Sequence, residues 1–126
     1  MLTIDEISQK FDDEFSFVKN RFVIHDLSIA DATNSKEPAA LRPGVYVFWS
    51  GDRVIKVGRH FINAKKRALE HIRDDTGGTM QQLKDDPAAH LLLFLLQDPK
   101  DIHWVAALEV FFELNLNPEV RSRRLG

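Results

Sequence analysis

The eight residues from Ala89 to Leu96 constrain the fold more than any other segment of this chain. All of them except His90 are apolar. A run of this length is too short to cross a lipid bilayer. It is typical of a central β-strand that is buried on both faces of a sheet. The rest of the chain must therefore supply helices to cover those two faces.

Helical and strand periodicities supply the remaining elements. Thr3 and Glu6 match the S/T-x-x-E pattern that begins a helix, and apolar residues then recur at helical spacing. The order of elements predicts an α/β (α+β) fold, in which a small three-stranded sheet of mixed or antiparallel strands is flanked by helices. The predicted elements are a helix over 4–20, a possible strand over 22–27, a loop over 30–42, a hairpin over 45–57, a helix over 64–74, a further helical turn over 80–84, a strand over 89–96 and a helix over 102–116.

Length and composition predict one compact domain. The chain has 126 residues, with an N-terminal helix and loop extension over 1–42 packed on a core over 43–126. It contains no cysteine, which excludes disulfides and cysteine nucleophiles. The acidic N-terminus lacks a signal-peptide pattern, and no apolar run is long enough for a membrane span. These features predict a cytoplasmic protein without a membrane partner.

Positive charge is concentrated in one segment, although the net charge of the chain is −2. Residues 53–73 contain seven basic residues and one acid, so this basic segment carries +6. The remainder carries ten basic and eighteen acidic residues, or −8. Such a distribution is expected of a local site for a polyanion. The alternative is a solvated helix face on which basic residues cluster by chance.

Four side chains with the chemistry for phosphodiester attack fall in or near the basic segment. Tyr46, the only tyrosine, is a candidate to deprotonate water, and Lys56 could orient it, contact a phosphate or act as the base. Arg67 and His71 lie four residues apart on one helix face, suited to stabilising charge and to proton transfer. The structural alternatives are a packed strand tyrosine, an edge-strand lysine and an ordinary solvated helix face.

Glu109 lies in the most apolar stretch of the last predicted helix. A buried carboxylate needs a partner, because its isolated charge is costly to desolvate. A divalent cation is one candidate partner, and an arginine such as Arg67 is the other. Glu113, one turn further along the helix, is the alternative metal ligand.

These residues resemble the GIY-YIG nuclease superfamily. The resemblance lies in Gly44-Val45-Tyr46, Lys56-Val57-Gly58, the ordered Arg67 and His71, and Glu109 nine residues before Pro118. It covers residues 43–120, which is the β-β-α-β-α core of that family. Two positions depart from the family pattern: the second motif begins with Lys56 where tyrosine is usual, and Arg121 stands where an asparagine often follows the proline.

The resemblance implies a metal-dependent endonuclease that hydrolyses phosphodiester bonds in DNA, with RNA as the alternative partner. Tyr46 with Lys56 would activate water, Arg67 and His71 would act on the phosphate, and Glu109 would hold Mg²⁺ or Mn²⁺. Two alternatives stay open: a catalytically weak or inactive nucleic-acid-binding module on the same fold, and an interaction domain without a nucleic-acid role. The predicted nucleic-acid contacts are Arg59, His60, Asn63, Lys65 and Lys66, and the predicted structural glycines beside the site are Gly44 and Gly58.

Overall fold

The computed structural model describes residues 3–34, 42–75, 78 and 80–121 as a four-stranded antiparallel sheet with helices on both faces. The strand order is β1-β4-β2-β3. The strands are β1 (Phe22–Ser28), β2 (Gly44–Ser50), β3 (Arg53–His60) and β4 (Ala89–Leu96), and the helices are α1 (Ile4–Glu14), α2 (Ile29–Asn34), α3 (Ala64–Arg73) and α4 (Ile102–Asn115). Short 3-10 helices span Lys19–Arg21, Met80–Asp85 and Pro99–Asp101. The predicted α+β fold class is therefore confirmed.

Strand β4 lies inside the sheet, between β1 and β2, as its apolar sequence predicts. Its side chains alternate between two separate cores. Leu92 and Phe94 pack with α1 and α4 on one face, which we call the α4 face. Leu91 and Leu93 pack with α2 and α3 on the other, which we call the α3 face. Every residue of β4 except His90 is buried.

Three details of the sequence prediction were wrong. The sheet has four strands rather than three, because Phe22–Ser28 pairs with β4 along its whole length. The first helix ends at Glu14 rather than residue 20, since the chain turns after Phe15 to enter the sheet. Part of the predicted 30–42 loop is helix α2, whose start is capped by a hydrogen bond from Asp31 N to Ser28 Oγ. Residues 35–41 of that loop lie outside the described residues.

The hairpin of β2 and β3 contains the irregularity that positions the candidate site. Its two-residue turn places Gly51 at φ +65°, a left-handed conformation that favours glycine. A shift of register follows between Phe48 and Trp49, so Trp49 pairs with Val54 but Phe48 pairs with Lys56. Beyond this bulge Tyr46 lies opposite Gly58. Residues directly opposite each other share a sheet face, so the bulge brings Lys56 to the same face as Tyr46.

The helices have the polar features that their sequences predict. Thr3 Oγ1 accepts a hydrogen bond from Glu6 N at 3.2 Å, which caps α1. Asn63 Oδ1 accepts one from Lys66 N at 3.1 Å and caps α3. Across the described part of the chain, none of the helices has both the length and the apolar character needed to cross a membrane.

Candidate active site

Tyr46 and Gly58 fit together on the α3 face of the sheet. The tyrosine ring, on β2, lies directly over the backbone of Gly58 on β3. A methyl group at position 58 would overlap the Cζ and Oη atoms of that ring. Gly44, at the start of β2, is equally constrained, because a Cβ there would overlap the carbonyl oxygen of Phe94. Both predicted structural glycines therefore have steric reasons to lack a side chain.

The hydroxyl of Tyr46 is hydrogen-bonded to His71, which reaches it from α3. The distance from Tyr46 Oη to His71 Nε2 is 2.8 Å. Tyr46 is 2% exposed and His71 is 7% exposed, so the contact is largely shielded from water. In the tautomer with its proton on Nδ1, the imidazole accepts the hydroxyl hydrogen.

Burial lowers the pKa of His71 from its ordinary value of 6.5 to about 4. The positive charges of Lys56 and Arg67 act in the same direction, and the carboxylates of Glu70 and Asp74 oppose them. His71 is therefore neutral at pH 7.

Lys56 and Arg67 differ in their access to solvent. Lys56 lies on β3, opposite Phe48 of β2, and is only 7% exposed. Arg67 lies one helical turn before His71, and its side chain is 40% exposed with Nη1 3.5 Å from Glu70 Oε2. The fold thus brings four of the predicted site residues to one face of the sheet: Tyr46, Lys56, Arg67 and His71. We call these four residues the α3-face cluster.

Glu109 lies on the opposite, α4 face. Its Oε1 atom accepts a hydrogen bond from Arg59 Nε at 2.9 Å, and the residue is 3% exposed. Arg59 pairs with Val45 in the sheet, and Val45 packs in the α4-face core. The sheet therefore lies between Glu109 and the Tyr46 hydroxyl. This arrangement matches the ion-pair alternative for Glu109, with Arg59 rather than Arg67 as the partner.

A divalent cation would have to compete with Arg59 for the carboxylate of Glu109. Glu113 is 1% exposed on the same helix. Within residues 3–34, 42–75, 78 and 80–121, no group of three or more His, Asp or Glu residues forms a set that could hold a metal ion. The resemblance implies a single glutamate ligand, and Arg59 already binds that carboxylate. The Mg²⁺ or Mn²⁺ ion stays a prediction.

The residues predicted to contact nucleic acid have several different environments. His60 Nδ1 accepts hydrogen bonds from Ile62 N at 3.2 Å and Asn63 N at 3.0 Å, so the imidazole holds the loop before α3. Asn63 is the helix cap described above. Lys65 is half-buried and Lys66 is exposed in the first turn of α3.

Ion pairs reduce the local charge of the basic segment. Four of its seven basic residues contact a carboxylate: Arg53 with Glu119, Arg59 with Glu109, Arg67 with Glu70 and Arg73 with Asp74. No such contact involves Lys65 or Lys66 among the residues that are described. These two lysines are consequently the strongest candidates for phosphate contacts.

Phe61 and Ile62 were not among the site residues predicted from the sequence. They are 40% and 63% exposed in the loop between β3 and α3, and the guanidinium carbon of Arg59 lies 4.3 Å from the centre of the Phe61 ring. Their position in the sequence could have indicated them. They are two apolar residues between a strand and a helix cap, where a turn is usually polar.

The fold and its clusters define a small α+β protein with a tyrosine–histidine pair on one sheet face and an arginine–glutamate pair on the other. Comparison with known proteins adds no family assignment: no family model, curated protein or solved structure matches the chain.

Proposed function

We propose that the protein hydrolyses phosphodiester bonds in DNA and that the α3-face cluster is the reacting site. The observation that carries this proposal is the 2.8 Å hydrogen bond between Tyr46 Oη and the neutral imidazole of His71. The resemblance of the motifs to GIY-YIG nucleases supports the same reaction. The proposed reaction is water attack on phosphorus: a new P–O bond forms, the P–O ester bond breaks, the water proton passes to a base, and the leaving oxygen takes up a proton from solvent.

Tyr46 is the proposed base in its phenolate form, and His71 would orient that oxygen by donating a hydrogen bond from Nε2 in the other neutral tautomer. Only a small fraction of a phenol is ionised near neutral pH, because its ordinary pKa is about 10. A phenolate at Tyr46 would lie on the same face as two cations, Lys56 and Arg67, which favour the charged form. His71 itself is too weak a base for this step, since its pKa is about 4. Its role is therefore positioning through the hydrogen bond.

Arg67 is the group through which the substrate would reach the cluster. Its side chain is 40% exposed, whereas Tyr46 and Lys56 are almost fully buried. Its weak contact with Glu70, at 3.5 Å, leaves donors of the planar guanidinium for a phosphate. A guanidinium at this position would stabilise the negative charge that develops in the transition state.

The test is nicking of a labelled DNA duplex and of supercoiled plasmid in Mg²⁺, Mn²⁺ or a chelator. We expect Tyr46→Phe to lower the rate about a hundredfold or more. Arg67→Ala is expected to lower it by a similar factor. Arg73→Ala is the matched control, because Arg73 lies on the same helix but has a 70% exposed side chain that contacts Asp74. Equal rates in all four proteins would contradict the proposal.

The role of the carboxylate on the α4 face needs a separate variant. Glu109→Gln removes the charge while keeping the shape of the side chain. If a metal at Glu109 supports cleavage, this variant loses the Mg²⁺-dependent rate. If Glu109 serves only to hold Arg59, the variant keeps that rate and changes stability instead.

A second candidate function is nucleic-acid binding without cleavage. The observation that favours it is the Glu109–Arg59 ion pair, which keeps the predicted metal ligand on the face opposite Tyr46. Binding would depend on salt, with a slope of log K against log salt of about −2 if Lys65 and Lys66 make the phosphate contacts. If all seven basic residues of the segment made such contacts, the slope would be about −6. Metal-dependent cleavage would exclude this second candidate, and absence of binding at low salt would favour an interaction domain.

A further inference from the structure

The loop from Phe61 to Asn63 presents two apolar side chains beside basic ones. Phe61 is 40% exposed and Ile62 is 63% exposed. Arg59 precedes them, and Lys65 and Lys66 follow in the first turn of α3. A single exposed apolar residue needs no explanation, but an adjacent pair with cations on both sides is a surface with a specific composition.

This loop is held in place at both ends. His60 Nδ1 accepts hydrogen bonds from the backbone nitrogens of Ile62 and Asn63, which fixes the turn after β3. Asn63 then caps α3 through its bond from Lys66 N. The exposure of Phe61 and Ile62 is therefore a property of an ordered turn, in which the backbone nitrogens of Ile62 and Asn63 are hydrogen-bonded.

Phe61 is also held by contact with a charged pair, Arg59 and Glu109. Arg59 Cζ lies 4.3 Å from the centre of the Phe61 ring, a distance typical of a cation–π contact. Arg59 Nε in turn donates to Glu109 Oε1 at 2.9 Å. Because Glu109 is 3% exposed, this carboxylate is a rigid anchor on α4 for the guanidinium. The order is Glu109, Arg59, Phe61, and then solvent.

We propose that Phe61 is a stacking platform for an unpaired base, so that the nucleic acid bound at this end of the molecule is single-stranded. The ring has a planar guanidinium over it and is 40% exposed, which leaves surface for a second planar group. Aromatic rings beside a positively charged surface are how sequence-tolerant single-strand binding is achieved. Lys65 and Lys66, in the first turn of α3 after this loop, are the proposed contacts to the neighbouring phosphates.

This inference rests on the proposed function only in requiring a nucleic-acid ligand, and it holds whether or not the strand is cleaved. It assigns Glu109 and Arg59 as positioning residues for Phe61. It also gives Ile62 a role, as an apolar neighbour on which a base edge or a sugar can pack. Exposed apolar residues beside lysines also occur where proteins touch anionic lipid, but that mode normally uses a whole amphipathic helix face rather than two loop residues.

The test is fluorescence anisotropy of labelled oligothymidylate, about 16 nucleotides long, against a hairpin duplex of equal length. Phe61→Ala is expected to weaken single-strand binding about tenfold and to leave duplex binding within twofold, as roughly expected for loss of one stacked base. Phe61→Trp should retain binding. Phe17→Ala is the matched control, because Phe17 is 96% exposed elsewhere on the surface and should not affect either affinity.

Charge and stacking are separated by salt titration. Phe61→Ala should lower the affinity for the single strand without changing the salt slope, whereas Lys65→Gln with Lys66→Gln should make that slope shallower. Glu109→Gln should weaken single-strand binding in the same direction as Phe61→Ala, and should lose most of this effect in the Phe61→Ala background. Additive effects of the two variants would overturn the positioning role.

The outcomes also separate this inference from the proposed function. If wild type cleaves or binds DNA but Phe61→Ala binds the single strand as well as wild type, the stacking platform is wrong and the proposed function stands. If wild type binds no nucleic acid at low salt, both are wrong. If it instead sediments with vesicles that contain anionic lipid, and Phe61→Ala abolishes this, the loop is a lipid contact.

Discussion

Tyr46 and Gly58 depend on each other, because the ring of one occupies the space that a side chain at the other would fill. We expect Gly58→Ala to lower the free energy of unfolding by about 3 kcal/mol, since the new methyl group would displace a buried ring. In a Tyr46→Val background, which removes the ring, the same glycine substitution should cost much less. Chemical denaturation of the four proteins of this double-mutant cycle measures the coupling. Equal costs in both backgrounds would contradict the contact.

His71 should make stability depend on pH over a defined range. Above pH 6.5 the imidazole is neutral in both the folded and the unfolded chain, so it adds no pH dependence. Between pH 6.5 and about 4 only the unfolded chain takes up the proton, so the free energy of unfolding falls as the pH falls. The loss from this residue is complete below about pH 4 and amounts to about 3 kcal/mol.

The measurement is the free energy of unfolding from denaturant titrations between pH 4 and 8, compared with His71→Gln. Carboxylates titrate in the lower part of this range in both proteins, so the difference between the two curves isolates the histidine. We expect that difference to change steadily from pH 6.5 down to about pH 4 and to be flat above pH 6.5. Parallel curves would show that His71 titrates alike in the folded and unfolded chains.

Sequence spacing predicted which residues share the α3-face cluster better than it predicted the partner of Glu109. Arg67 and His71 are four residues apart, and helical geometry alone places them together. The need of Glu109 for a partner followed from its apolar neighbours. Its partner, Arg59, is fixed by the register of β3 and by the packing of α4, and neither is encoded in local spacing.

The bulge in the β2–β3 hairpin determines which side chains share a face of the sheet. A regular hairpin with the same two-residue turn would pair Val47 with Lys56 and Tyr46 with Val57. Lys56 would then point to the face opposite Tyr46. The observed shift between Phe48 and Trp49 moves Gly58 under the tyrosine ring instead. The hairpin was predictable from its turn residues, but the bulge was not, because it is stabilised by packing on both sheet faces.

The cap of α3 connects helix stability to the exposed loop before it. Asn63→Ala removes the acceptor for Lys66 N and should lower the free energy of unfolding by about 1 kcal/mol. Because the same loop holds Phe61, it should also weaken binding of single-stranded DNA. Thr3→Ala is the matched control, since it removes the equivalent bond at α1 with a similar expected cost and no effect on binding. Similar binding losses in both variants would indicate a general effect of lower stability.

For the molecule as a whole, the N-terminal residues complete the sheet. Strand β1 pairs with β4 from Phe22 opposite Leu96 to Ser28 opposite His90. Helix α1 contributes Phe11, whose ring centre lies 5.1 Å from that of Phe94 on β4. The apolar sequence of β4 predicted burial on both faces. It carried no information about which strand would pair with β4 on the side away from β2. The predicted boundary at residue 42 therefore marks where the motif resemblance begins. It does not mark an edge of the hydrophobic core.

A fragment of residues 43–126 should consequently fail to fold cooperatively, because it lacks both strand β1, the neighbour of β4, and helix α1, which packs on the α4 face. It would also expose an apolar strand edge, which favours aggregation.

In the full chain, Phe11→Ala should lower the free energy of unfolding by about 4 kcal/mol. Phe17→Ala, at a 96% exposed position six residues away, should change it by less than about 0.5 kcal/mol. Denaturant titrations of the fragment and of the two variants, each compared with wild type, provide the measurement. A fragment that unfolds in one sharp transition at the wild-type midpoint would show that residues 3–34 are not needed for the sheet.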